Sequence, residues 1–525
     1  MEAKKDWLSG VLKVLLCVSF VYLWVMALVY VKKSYCGIPG AAVFLIAALL
    51  DGILVWCVWK KKKAKSDKPA NIKKENICLL CASLVLLAMQ FVVIWNAVFR
   101  TAWDPGAVWY GAHFVELGDQ DGINSMAYYF SVYPNNLLLV WIYSVVLKLN
   151  DAIGAPIANG TMLLALFQCI FVTGAGACLY KTVRHFADQK IAWIAYGFYF
   201  ILGGLSAWIM IPYSDSTGII FPIFLFYLYV KIKETKSVKK RCILAFLLFF
   251  FCYIGFEIKP MAAIVLIAIV AVEGIHFAGR LLKKQSVWKK SLLAYCLAAV
   301  LGLGAAAGGV SAVVGSMHFP VVTDTVLGWQ HHMMLGLNKD TNGGYSQADF
   351  DYSTSFSSAE EQHAAELKEI GKRLKDFGVS GYLQHFVKKS ARNYFDGCFG
   401  WGGLGETFYT EIFPERGTVL CSLIRSLYYD NTEDTLYRYP ALFRQILWYM
   451  VLVLVPFSVF TKRPLDKKRQ VAVLSVLGLM LYLQIFEAHA RYLYTFVPIF
   501  VFLATEGIYN LREYLNQKSE RRVKK

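Results

Sequence analysis

The chain is punctuated by apolar runs of membrane-crossing length, separated by short segments in which lysine and arginine collect. A hydrocarbon layer about 30 Å thick is crossed by about 20 residues of helix, and within it each peptide group must be bonded inside its own segment. A chain with this pattern is therefore expected to be an all-α polytopic membrane protein. A composition of 57% hydrophobic and only 17% charged residues excludes a soluble globule, as does a mean hydropathy of +0.47. The net charge of +18 would suggest nucleic acid in a soluble protein. Here it lies in loops between apolar runs, where basic residues mark the cytoplasmic side, so it reports topology and nucleic acid is not an expected partner.

In chain order, spans are expected at about Val11–Val31, Gly37–Trp59 and Ile77–Val98, with the lysine-dense linker KKKKAKSDKPANIKKEN on the cytoplasmic side. The apolar stretch Leu137–Leu149 covers only about 20 Å as a helix and is read as an interfacial helix on the outer face. Counting it as a span would invert every later basic loop. Further spans follow at about Gly160–Tyr180, Ile191–Ile211, Gly218–Val230, Cys242–Ile258, Met261–Ala278 and Ser291–Gly315. The last three are Ala441–Phe460, Val471–Phe486 and Leu493–Ile508, which brings the total to about twelve with both termini cytoplasmic. The chain divides into residues 1–75 with two leading helices, a core at 76–316 whose first outer loop is 99–158, an outer segment at 317–440, and closing helices at 441–525.

The outer segment is too long for a plain loop. Ser358-x-x-Glu361 opens an amphipathic helix that Gly378 closes, and a second helix is expected near Gly381–Tyr394. The run DGCFGWGGLGETFYTEIF suits either a packing turn or a loop that stacks on sugar rings. Cys398 and Cys421 share this segment, where an oxidising compartment would permit a disulfide. Cys78-x-x-Cys81 lies in an apolar run with no second pair and is read as packing.

Chemistry is concentrated in Arg100–Asn136, which carries Asp104, Glu116, Asp119 and Asp121 between apolar runs. Carboxylates at the mouth of a membrane bundle are costly unless they bind something. Asp104 follows a span directly, so it can act as a general base at the membrane surface or simply end a helix as an Asp-Pro turn. Asp119-x-Asp121 offers oxygens to a divalent cation, although such pairs are common in turns. Lys259, at the outer ends of two spans, needs an anion, Glu257 or water. Asp51, inside the second span, faces either a neighbouring helix or a functional partner.

Taken together, a span followed by Asp104, Gly118-Asp119, Tyr133-Pro134 and a short apolar helix resembles the first outer loop of the GT-C superfamily of polyprenyl-phosphate-sugar-dependent glycosyltransferases. Protein O-mannosyltransferases and the aminoarabinose transferases of lipid A are the members it resembles. Arg184-His185-Phe186, Tyr213-Ser214-Asp215, Lys259-Pro260 and Arg491-Tyr492 with Pro498 extend the likeness. It implies a GT-C-like bundle with a juxtamembrane outer loop, Asp104 as catalytic base and Lys259 at the lipid phosphate. Glu116, Asp119, Asp121, Tyr133, Asp215 and Arg491 would join Lys259 in substrate binding. The implied partners are a polyprenyl-phosphate sugar donor, a cell-envelope glycan or protein acceptor, and membrane lipid, with no certain cofactor and a divalent cation left open. Two departures stand out: Asp104-Pro105 where the family often has adjacent acids, and Pro134-Asn135-Asn136 where it often has Pro-Pro. The rival readings are a polysaccharide polymerase or ligase, and a lipid-linked glycan transporter or flippase.

Overall fold

The computed structural model describes residues 6–60, 72–283, 290–401, 408–430 and 436–523. Most of the lysine-dense linker, most of the 280–290 basic loop and the centre of the Gly-aromatic run lie outside the described residues. The protein is an all-α polytopic membrane protein, and ten of its helical segments are long and apolar enough to cross a bilayer among the described residues.

The chain opens with α1 (Trp7–Val29), α2 (Gly40–Lys60) and α3 (Ile72–Ala97), then turns into short helices α4 (Asp104–Leu117), α5 (Gln120–Ser125), α6 (Ala127–Val132) and α7 (Leu137–Ala152). Next come α8 (Gly160–Phe186), α9 (Gln189–Tyr199), α10 (Ser214–Gly218), α11 (Ile220–Glu234), α12 (Val238–Ile258), α13 (Ala263–Leu282) and α14 (Lys290–Gly315). The segment after α14 supplies α15 (Trp329–Gly336), α16 (Gln347–Thr354), α17 (Ala359–Tyr394) and α18 (Val419–Tyr428). The chain closes with α19 (Arg438–Leu454), α20 (Lys467–Ile485), α21 (Arg491–Tyr494) and α22 (Val497–Val523). One strand pair occurs among the described residues, β1 (Phe99–Arg100) antiparallel to β2 (Glu411–Ile412).

Ion pairs mark one end of the bundle. Glu75 meets Arg184 at 2.9 Å, Glu273 meets Lys467 at 2.9 Å, and Glu506 meets Arg469 at 2.6 Å. His185 pairs with Glu234 and Asp188 with Arg512 in the same layer. Glu75, Arg184, Glu234, Lys467 and Arg469 stand near the ends of α3, α8, α11 and α20 that lie away from the acidic stretch, the Tyr213 turn and Arg491, and they draw in Glu273 of α13 and Glu506 and Arg512 of α22 from part-way along those helices. By this geography two further elements connect the ends. α22 runs from the Arg491 turn to Arg512, and its leading half is buried inside the bundle. The expected span Ile191–Ile211 is not a plain helix: α9 continues through a π turn at Phe200–Gly204 and then unwinds. Exposed carbonyls at that depth are tolerated only when neighbours bond them. Gln90 Nε2 donates to Gly204 O (2.8 Å), the Tyr494 hydroxyl to Gly203 O (2.9 Å) and Arg444 to Leu205 O (2.7 Å).

α7 leaves the bundle on the side where it entered. Arg100, just past α3, donates to Thr161 at the start of α8 at 3.4 Å, so the 60 or so intervening residues begin and end at one face. The span expected from Gly218 starts four residues earlier, at Ser214, and so carries Asp215 in its first turn.

In the segment after α14, Ser358 caps α17 by accepting from Glu361 N at 3.3 Å. The helix is interrupted at Gly378, where φ is 55°, a conformation that costs glycine least. The segment docks through Lys389, whose ammonium donates to Gly336 O, Gln484 O and Phe486 O at 2.9, 2.8 and 2.7 Å. Arg392 adds a bond to Ala488 O at 2.9 Å. The Cys398–Cys421 disulfide does not form: both thiols are free and buried, and Cys421 Sγ lies 3.4 Å from Asn96 O. They sit on different elements, each packed against its own neighbours.

Candidate functional site

Asp104 stands in the first turn of α4, with Pro105 after it at a position where a missing N–H costs nothing. One carboxylate oxygen accepts from the Tyr129 hydroxyl at 2.9 Å and the other from the Tyr213 hydroxyl at 3.2 Å. Asn136 closes the ring, donating to the Tyr129 oxygen at 2.8 Å and accepting from Tyr213 at 3.4 Å. Burial, together with the charge of Asp104, pushes both phenols well above their usual range, so they remain donors. Asp104 thus both opens α4 and takes part in this hydrogen-bonded ring.

Below this ring lies a buried charge cluster. Lys259 Nζ donates to Asp215 Oδ1 at 2.6 Å, and Arg491 Nε lies 3.4 Å from Asp215 Oδ2 without hydrogen-bond geometry. Asp215 is 1% exposed, and both cations are 8% exposed. Burial lowers the Lys259 pKa, and the Asp215 charge works against that. Two cations share one carboxylate, leaving an excess of positive charge in a nearly dry place. Nε and Nη1 of Arg491 have no hydrogen-bond partner, although its guanidinium lies 4.3 Å from the centre of the Trp103 ring and 5.7 Å from that of Trp208. Lys259 in turn lies 5.0 Å from the centre of Tyr492, whose hydroxyl donates to Glu487 at 2.8 Å.

Tyr213 joins the two groups. Its hydroxyl reaches Asp104, and its ring lies 5.8 Å from Lys259 and 5.8 Å from Arg491. α15 brings His332 to the same place. Burial lowers the pKa of this half-buried ring, and the charges of Glu487, Glu366 and Asp104 oppose that.

Of the residues expected to act, the fold brings together Asp104, Asp215, Lys259 and Arg491. Tyr133 ends α6 at the rim, 5.3 Å from the Tyr129 ring and 6.4 Å from Phe350 of α16. The other three go elsewhere. Glu116 pairs with His113 at 2.7 Å. Asp119 caps α5 by accepting from Gly122 N at 3.0 Å, and Asp121 is exposed. No group of three or more His, Cys, Asp or Glu side chains placed to hold an ion occurs among the described residues, so Asp119-x-Asp121 has no third ligand there. Sequence reading passed over Trp103, Tyr129, Trp208 and His332. The first two were signalled only by the aromatic density beside Asp104, and His332 by nothing in the local pattern.

No curated protein matches this sequence. A family model described as "Conserved hypothetical integral membrane protein" matches residues 1–510. With nearly its whole length covered and ten apolar helices of crossing length among the described residues, the chain belongs to that family of integral membrane proteins.

Proposed function

We propose that this protein transfers a sugar from a polyprenyl-phosphate carrier to an acceptor of the cell envelope, a glycan or a protein, on the extracytoplasmic face. The observation that carries the reading is the pairing made by Tyr213, which touches a carboxylate on one side and a two-cation cluster on the other. A general base next to an anion site is what displacement of a phosphate at an anomeric carbon requires. The acceptor hydroxyl oxygen bonds to the anomeric carbon and its proton goes to Asp104. The bond from that carbon to the phosphate oxygen breaks, and the carrier phosphate leaves with the electron pair. Arg491, with its unsatisfied donors, and Lys259 hold the phosphate charge, while the Trp103 and Tyr213 rings wall the sugar. Asp215 keeps the cations in place before the donor arrives.

The test uses the purified chain in liposomes with radiolabelled polyprenyl-phosphate sugars and isolated envelope acceptors. Asp104→Asn should lower turnover by about 100-fold or more while donor binding survives, as expected when a general base is removed. Glu116→Gln and Asp121→Asn, both remote from the cluster, should transfer normally. Full transfer by Asp104→Asn would remove the base, and movement of label across the bilayer without a new glycosidic bond would replace the enzyme with a transporter.

A further inference from the structure

A second feature lies away from this cluster, in the wall formed by the leading helices. α1, α2, α19 and α22, with the Val455–Val459 turn, enclose a cavity of about 400 Å³. That volume is within the range of about 300–1,000 Å³ usual for small-molecule sites. Its lining is apolar and aromatic, with Trp24, Phe44, Trp56 and Phe457, except for one carboxylate, Asp51. Asp51 is 3% exposed, and neither of its oxygens has a hydrogen-bond partner. It stands nine residues before Lys60 on α2, about 13 Å of helix rise from the charged end, too deep to reach the interface by bending a short side chain. Lys60 itself lies 4.7 Å from the centre of the Trp56 ring, one turn nearer that end. Gly52 and Trp56 are exposed on the outer surface of α2, so the cavity opens sideways towards lipid.

A buried carboxylate without donors is retained at a cost unless something supplies them. A carboxyl group ringed by aromatic faces suits an ammonium, which pairs with the carboxylate and is drawn to the rings by cation–π attraction. We infer that this cavity binds a cationic amphiphile, a protonated amine on a hydrocarbon body, which enters laterally from the bilayer and donates its N–H groups to Asp51. A fatty acid of the same length brings no positive charge to the carboxyl or the rings, and a hydrocarbon alone would leave both oxygens unbonded. The site is independent of the reaction at Asp104, because no residue is shared between them.

The experiment is photo-cross-linking of the full chain in phosphatidylglycerol nanodiscs with octadecylamine, octadecanol and stearic acid, each carrying a mid-chain diazirine. The amine should label peptides containing Gly52–Trp56 and Leu511–Leu515 about tenfold more than the alcohol, and the acid should label them least. Asp51→Asn should remove most of that excess while its elution on size exclusion is unchanged. Equal labelling by amine and alcohol, or amine labelling that survives Asp51→Asn, would overturn the inference. If the variant does not fold, the wild-type ratio decides, together with competition by unlabelled dodecylamine: failure to compete counts against the site.

Discussion

At the scale of single residues, Asp215 is a buried carboxylate that stands between two buried cations. Removing one partner of a buried ionic group costs about 3–5 kcal/mol, since the charge left behind has no water to turn to. Asp215→Asn should therefore lower the thermal unfolding temperature in detergent clearly, whereas Asp104→Asn, whose partners are two neutral hydroxyls, should leave it nearly unchanged. The opposite order would assign the structural role to Asp104. Asp104, Asp215, Lys259 and Arg491 were legible from sequence because each stands where an apolar run ends, a place at which charge needs a reason. Glu116 and Asp119 met the same criterion and are occupied locally, one by His113 and one by a helix cap.

At the scale of elements, α17 and α15 fasten the segment after α14 to the chain just before Arg491. Lys389 is the fastener: Lys389→Met leaves Gln484 O and Phe486 O without this donor while Gly336 O keeps His385, at a cost of about 1–3 kcal/mol for each group left unpaired. Limited proteolysis should then cut this segment faster, and transfer should fall with it if Arg491 is positioned through Ala488. The same segment should be sensitive to acid. His331 is 1% exposed, and burial, with the neighbouring His332 charge, pushes its pKa down to about 3. An unfolded histidine binds its proton near pH 6.5 and the folded one does not, so the stability it contributes is complete above pH 6.5 and is lost as pH falls toward 3. His331→Asn, which can keep a bond to Ser353, should flatten the decline of unfolding temperature between pH 7 and pH 4. An unaltered slope would move the effect to His385 or His489, whose pKa values burial also lowers.

At the scale of the whole molecule, the two ends of the bundle differ in kind: one is a layer of ion pairs, the other an aromatic enclosure around the carboxylate and cation groups. With basic loops on the cytoplasmic side, cysteines placed at Arg184 and Lys236 should react with an impermeant maleimide only from the inside. Labelling from outside would reverse the orientation and remove the proposed placing of the site on the extracytoplasmic face.

The sequence by itself determined the all-α class and most helix positions, because lipid admits no other way to satisfy the backbone and because run length reports crossing directly. It also determined the Ser358 cap and the break at Gly378, which are local in φ, ψ and one hydrogen bond. Only the tertiary structure decided that α9 unwinds, since the donors that make this tolerable come from Gln90, Arg444 and Tyr494 on distant helices. It likewise decided that Cys398 and Cys421 stay apart, that Asp51 faces a cavity, and that Tyr213 bridges Asp104 to Lys259 and Arg491. Residues separated by hundreds of positions meet through helix packing, and packing depends on side-chain shape across many helices, for which no single stretch of sequence carries the signal.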